Sequence, residues 1–267
     1  MRVPNSGSFI LAYHGVQEGR ESEGERGLHI SHESLHNQLS TVGRHFDVVS
    51  LEEVLRVSDT RSARVAITFD DAYLGALTLG ASVCETLGYP FTVFVAPGLL
   101  GTIPVWDERS SKGQWTISHR QTFLWDQKGR ARHRLATSSS LCLPQIGTES
   151  DLLALRGSKY ATFGNHTYSH PNLRSLSDDE VSLEISKGRA WLETRFPTQF
   201  LNVVAYPYGL APRNAERLMA EPHAAAGLLV HGGWFRRGNV PTFAVPRWNV
   251  PSAVGRDRFL AKLRGWL

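Results

Sequence analysis

The stretch Arg64-Val65-Ala66-Ile67-Thr68-Phe69-Asp70-Asp71 is a short apolar, β-branched run that stops at two aspartates. Such a run reads as a buried strand that delivers paired carboxylates at its C-terminal end. Residues 75–88 follow, with apolar Leu77, Val83 and Leu87, and read as a helix closed by Gly88. Phe91-Thr92-Val93-Phe94-Val95 is another strand-like run, ended by Pro97-Gly98. Strand, helix, strand in this order predicts parallel β/α units.

Toward the N-terminus, Phe9-Ile10-Leu11-Ala12-Tyr13 predicts a buried first strand with His14-Gly15 at its end. Residues 17–27 are rich in Glu, Gly and Arg and read as an exposed loop. Ser31 is a candidate N-cap for a helix with Leu35, Leu39 and Val42 on one face and Gly43 as the stop. That helix carries His32 and His36, with His29 before it. A pair at i, i+4 can bind a metal, but no carboxylate is tied to this one, so surface histidines are expected. Phe46–Val49 and Leu51–Val57 read as a short strand and a short helix.

Toward the C-terminus, a polar insertion at about 102–148 carries Trp106, Trp115 and Trp125 and the basic residues Lys128, Arg130, Arg132 and Arg134. Its tryptophans suit stacking on sugars or packing onto the body equally well. Then come a short helix at Asp151–Arg156, a strand at Tyr160–Phe163, and Ser177-Asp178-Asp179-Glu180 as a capping box. The box opens a helix with Val181, Ile185, Gly188 and Leu192 on one face. Further strands are expected at Asn202–Ala205, Gly227–Val230 and Phe243–Trp248, with helices at Pro212–Ala220 and Arg256–Trp266.

The chain has 267 residues, 41% of them hydrophobic, a length and composition that suit one large α/β domain over 1–267. Its net charge of +4 comes without aromatic interleaving or a binding motif, so nucleic acid is not an expected partner. No apolar run is long enough to span a membrane. The opening residues lack the long apolar segment of a secretory leader, so a cytoplasmic protein is expected, with a truncated secreted form left open. Cys84 and Cys142 make no disulfide framework, and Cys84 reads as a small core residue. Oligomeric state is not legible.

The chemistry gathers around a second stretch, Gly164-Asn165-His166-Thr167-Tyr168-Ser169-His170-Pro171. Two histidines four apart and one of the paired aspartates make a three-ligand site for a divalent ion with a position open for water. The other aspartate is then free to act as a base. His14, Asp70, Asp71, His166, His170, Tyr208, His231 and Arg247 each fall at or just past a predicted strand end. In a β/α barrel those ends converge on one face, where active sites lie. Taken singly, Asp-Asp after a strand also suits a turn or N-cap, and Pro207-Tyr208-Gly209 suits a common turn. Together, and in this order, they point to a metal site.

Thr68-Phe69-Asp70-Asp71, then His166-Thr167-x-x-His170, then Pro207-Tyr208-Gly209 resembles the polysaccharide deacetylase family (carbohydrate esterase family 4, NodB-like) from roughly Phe9 to Pro251. Tyr13-His14 and Pro246-Arg247 look like the branch found in bacterial surface-polysaccharide pathways. The resemblance implies a distorted (β/α) barrel of about seven parallel strands. It implies a metal, most often Zn2+, on Asp71, His166 and His170, with Asp70 as general base. A bound ion of this kind lowers the pKa of water, and the Tyr208 N–H would help hold the developing oxyanion. The expected reaction removes N-acetyl groups from an amino sugar or glycan and releases acetate. Another linear amide, such as a formamide or imide, and a catalytically weak glycan-binding relative are the alternatives. Two departures stand out. The family usually places Arg two positions before the Pro of the third motif, where this chain has Ala205; Arg247 is the candidate replacement. The family's C-terminal Leu-x-His is missing, since His231 is the last histidine, so His231 or His14 is expected to supply the proton.

Overall fold

In the computed structural model, residues 6–19, 27–56, 62–104, 133–135, 145–220, 224–236 and 238–266 are described. Seven strands run parallel in one curled sheet. Their order is β11 (Ala226–Leu228), β10 (Phe200–Ala205), β9 (Ala161–Asn165), β6 (Phe91–Val95), β5 (Ala63–Phe69), β1 (Gly7–Tyr13) and β12 (Trp248–Asn249). A two-residue strand, β4 (Asp47–Val48), also pairs with β5, while β2 (Gly15–Gln17) and β3 (His29–Ser31) form a separate parallel pair. The parallel β/α units are those the strand–helix–strand pattern predicts, and the distorted half-barrel they form is the one the family resemblance implies. Every residue of β1 and β6 is buried, which is why these strands read as unbroken apolar runs rather than alternating ones.

Alternation still decides which way each side chain points. Ile10, Ala66, Phe94, Val203, Ala205, Leu228 and Val245 meet in one interior cluster, joined by Leu51 and Val54 of α2 (Leu51–Arg56). Their strand neighbours Phe9, Leu11, Val65, Ile67 and Val93 face outward, in a cluster shared with α1 (His32–Gly43) and α3 (Ala81–Leu87). Leu35 and Leu39 of α1 are fully buried there, each burial stabilising the layer by about 1.5–3 kcal/mol. Ser31 caps α1 as expected, accepting from the Ser34 N–H at 3.1 Å. The expected stop at Gly43 has a different cause. Arg44 stays right-handed, and Gly43 makes room for Tyr89, whose hydroxyl would lie 1.7 Å from a Cβ built there.

The helix expected over 75–88 opens with a π-helical turn, Ala76–Gly80, before α3, and Gly88 ends it in the left-handed conformation (φ 72°). The insertion begins with β7 (Thr102–Pro104), paired antiparallel with β8 (His133–Leu135). Trp106, Trp115, Trp125, Lys128, Arg130 and Arg132 lie outside the described residues. The helices α4 (Glu149–Ala154) and α5 (Asp178–Arg195) both start with a complete capping box, Thr148 with Asp151 and Ser177 with Glu180. The helix expected over 212–220 is confined to α6 (Ala215–Met219), and the C-terminal helix α7 covers Arg256–Leu263. No helix among the described residues is long and apolar enough to cross a membrane.

The strand expected over 243–248 is broken in two. Val245 sits beside Leu228 of β11, its N–H donating to the Gly227 carbonyl and its carbonyl accepting from the Leu229 N–H, both at 2.9 Å. Trp248–Asn249 then pair with Leu11–Ala12 of β1, at the other side of the sheet. Pro246 lies between and has no N–H to continue a ladder. Residues 245–249 therefore touch both edges of the curl, and Arg247 sits at the crossing.

Candidate metal centre and active site

Three loops meet at the C-terminal ends of β5, β9 and β10, and their backbone is unusual. Among the described residues, the non-glycine positions with positive φ are Asp71 (68°), Ala72 (55°), Thr167 (66°), His170 (55°) and Tyr208 (60°). All five lie in these loops. Each costs on the order of 1–3 kcal/mol and persists only where the surroundings impose it, a pattern concentrated at functional sites.

The bends turn Asp71, His166 and His170 toward one another. Asp71 Oδ1 lies 3.3 Å from His166 Nε2 and 3.2 Å from His170 Nε2, and all three residues are buried. His166 Nδ1 is 2.7 Å from the Ala205 carbonyl. A carbonyl can only accept, so Nδ1 carries a proton and Nε2 is the ring atom that faces Asp71. Burial would lower the His166 ring, but Asp71 and Asp70 outweigh it and raise the group above its ordinary value. Asp71 Oδ1 is buried without a hydrogen-bond partner. Two imidazole nitrogens and a carboxylate oxygen, all within 4.8 Å, with one histidine fixed from behind by a carbonyl, form a donor set that fits a divalent ion. Burial alone would raise the Asp71 carboxyl, but His170 and His166 outweigh it and hold the group well below the usual range. Burial lowers His170 despite Asp71, favouring the neutral ring a ligand needs.

Asp70 is turned the other way. Its N–H donates to the Tyr13 carbonyl at 2.8 Å, and its carboxylate meets Arg247 in a two-pronged pair. Arg247 Nη1 donates to Oδ1 at 2.7 Å and Nη2 to Oδ2 at 2.8 Å. Arg247 is itself held from three sides. Nε donates to the Leu229 carbonyl at 2.9 Å, Nη1 also donates to Thr68 Oγ1 at 3.1 Å, and the guanidinium lies 5.3 Å over the Phe94 ring. Asp70 and Arg247 are 1% and 0% exposed. Burial pushes the Asp70 carboxyl up, yet Arg247 and then His166 more than reverse this, and the group is held below its ordinary value.

The profile of the polysaccharide deacetylase family matches residues 58–224, more than half of the chain. The chain belongs to the polysaccharide deacetylase family. Comparison with curated proteins gives no match. Among solved structures, IcaB from Ammonifex degensii is similar at a TM-score of 0.70 and 17% identity, over 97% of this chain and 96% of that one. The Streptococcus pyogenes deacetylase PplD gives 0.65 and 17%, over 97% and 99%. The de-N-acetylase from Aggregatibacter actinomycetemcomitans gives 0.67 and 13%, over 98% and 100%. At these identities the likeness is one of fold.

The span matched to the polysaccharide deacetylase family contains Asp70, Asp71, His166, His170 and Tyr208 but not His14, His231 or Arg247. Of those three, the structure brings two to the site. Arg247 pairs with Asp70, and half-buried His14 feels the charges of Asp70, Asp71, Arg247 and His166. Burial lowers the His14 pKa, with the two aspartates opposing. His231 is exposed. Tyr208 lies against the 166–170 loop, its ring edge-on to His170 at 4.9 Å. Of the three histidines expected at the surface, His36 is exposed and His32 half-buried, but His29 is buried, packed edge-on against Tyr73 at 4.8 Å. The sequence reading passed over Thr68, which joins Arg247 to the Leu11 carbonyl, and Glu184. Glu184 stands four residues before Gly188 and three after Val181, on the buried stripe of α5. A carboxylate on an apolar stripe is the signal that could have found it.

Proposed function

We propose that this polysaccharide deacetylase family member is a metal-dependent carbohydrate N-deacetylase, hydrolysing the N-acetyl amide of an amino sugar or glycan and releasing acetate. The observation that carries this reading is the contrast between adjacent aspartates. Asp71 faces two imidazoles with a bare oxygen, while Asp70 is locked by Arg247. Asp71, His166 and His170 would hold the ion. When bound, a divalent ion of the zinc type supplies Lewis acidity toward a carbonyl oxygen and acidifies water.

The remaining work falls to the chain. Arg247 occupies one lone pair on each Asp70 oxygen and keeps the carboxylate ionised, leaving further lone pairs to take a proton from the attacking water. The new C–O bond forms first, placing negative charge on the acetyl oxygen, and the amide C–N bond breaks when that tetrahedral adduct collapses. The Tyr208 N–H is the group we assign to hold negative charge on the acetyl oxygen. An amine leaves poorly unless protonated, and His14 is the residue we assign to deliver that proton to the sugar nitrogen. Placing Arg247 in the role usually filled two positions before the third-motif Pro accounts for Ala205. A small residue there leaves its carbonyl to fix His166 and its side chain in the interior cluster.

The test is acetate release from a panel of N-acetylated sugars, using metal-stripped and zinc-restored protein beside Asp70→Asn. The reading expects zinc-dependent acetate that vanishes in Asp70→Asn while zinc stays bound. A protein that binds zinc but releases acetate from none of them acts on another linear amide. A protein that binds no metal is not this kind of hydrolase.

A further inference from the structure

The segment between β9 and Leu173 carries both ligand histidines and forms neither helix nor strand. It contains two left-handed non-glycine residues, Thr167 and His170. A loop bent in this way keeps its shape only if something outside it does the holding.

That support comes from Glu184, in the second turn of α5. Its Oε2 accepts from the N–H of Tyr168 at 3.1 Å and of Ser169 at 2.8 Å, and Oε1 accepts from Ser169 Oγ at 2.8 Å. One carboxylate thus takes up three donors lying between the two histidines. Bonds of this charge-assisted kind are stronger than neutral ones. Glu184 is 9% exposed, and burying a carboxylate is unfavourable unless hydrogen bonds compensate it. Its neighbours on the helix complete the clamp. The Ile185 carbonyl accepts from Asn165 Nδ2 at 2.9 Å. Gly188 lets α5 approach so closely that a Cβ would fall 2.3 Å from Asn165 Oδ1 and 3.1 Å from the Thr167 carbonyl group. On the opposite side, the Gly98 N–H donates to the Tyr168 carbonyl at 2.7 Å.

We propose that Glu184 is the positioning residue of the metal centre, presetting the 167–170 loop so that both histidines converge on Asp71 before an ion arrives. The inference rests on the metal reading above. It acts through the backbone between the ligands, unlike the Ala205 carbonyl, which acts on the His166 ring. Partners of metal ligands typically contribute 10–100-fold to affinity.

The experiment measures zinc affinity by chelator competition, and thermal midpoint without metal, for wild type, Glu184→Ala, Glu184→Gln and Val181→Ala. Glu184→Ala is expected to weaken zinc about 10–100-fold. Glu184→Gln is expected to recover most of this, since its amide oxygen can accept both N–H groups and its NH2 can donate to Ser169 Oγ. Val181→Ala, a truncation on the same helix, is expected to lower the midpoint without changing zinc affinity. A merely structural Glu184 would behave like Val181: a zinc affinity in Glu184→Ala equal to wild type would overturn the proposal. If Glu184→Ala does not fold, Ser169→Ala removes one of the three hydrogen bonds, and unchanged zinc affinity there would overturn it equally. Failure of wild type to bind zinc would instead remove the underlying metal reading, so the two failures are distinguishable.

Discussion

Replacing Arg247 with Met removes both prongs of the pair to Asp70, the bond to Thr68 and the bond to the Leu229 carbonyl. It leaves a carboxylate buried to 1% exposure with no counter-charge in contact. Breaking a buried ion pair from one side costs about 3–5 kcal/mol. The carboxyl can escape part of this by taking a proton, at 1.36 kcal/mol per pKa unit. The pH dependence follows from the sign of each shift. In wild type the folded Asp70 is held below its ordinary value. Its stabilisation is complete above the unfolded pKa of about 3.9 and is lost as pH falls through the lower folded value. In Arg247→Met the raising effect of burial is left with only the histidines against it, so the folded pKa moves up and ionised Asp70 destabilises at neutral pH. Urea midpoints of chelator-treated wild type and variant should therefore differ most near neutrality, and the gap should narrow on acidification toward about pH 4. The acid limb of kcat/KM should move to higher pH in the zinc enzyme, because the base is protonated earlier. Arg247→Lys should fall between, since one ammonium cannot make two parallel bonds. Equal midpoints at neutral pH together with an unmoved acid limb would falsify the assignment of Arg247 to Asp70.

Three further outcomes are expected. Turnover with zinc bound should fall about 10²–10⁴-fold in His14→Ala and stay at the wild-type level in His231→Ala; the reverse pattern would transfer the proton-donor role. Gly188→Ala should destabilise by about 1–3 kcal/mol and weaken zinc in the same protein, because its Cβ meets Asn165 and the Thr167 backbone; a stable variant with unchanged affinity would contradict that packing. Zinc at a hundred times its dissociation constant should stabilise the fold by about 2.7 kcal/mol, raising the thermal midpoint by about 2–4 °C for each kcal/mol. Asp71→Asn should abolish that rise, and a rise that survives places the ion elsewhere.

The parts of the fold legible in the sequence are those where one physical signal dominates. β1, β5 and β6 are buried on both sides, so Phe9–Tyr13, Arg64–Phe69 and Phe91–Val95 stand out as apolar runs. The caps Ser31 and Ser177 announce α1 and α5 through chemistry local to a single turn. The convergence of Asp71, His166 and His170 follows from strand ends in a curled parallel sheet. What was not legible depends on contacts far apart in sequence. The tightness around Gly43 is set by Tyr89, and that around Gly80 by Val16 and Phe69. The break within 243–248 could have been read from Pro246, but not which strand each half would join. Arg247 was legible as a candidate because Ala205 vacates a position; its two-pronged geometry was not. Glu184 is legible as a carboxylate on the apolar stripe of α5, but only the bend of the 167–170 loop shows what the charge is for.

The crossing at 245–249 makes chemistry wait for topology. Asp70, Asp71, His166 and His170 are all translated before residue 171, whereas the guanidinium that steadies Asp70 arrives some 76 residues later, on the segment that joins the two edges of the sheet. A chain lacking 245–249 would keep Asp71, His166 and His170 but leave Asp70 without its Arg247 pair. Under the proposed function, the counter-ion of the base is carried by the segment that closes the sheet, so the fold and the site are completed by the same five residues.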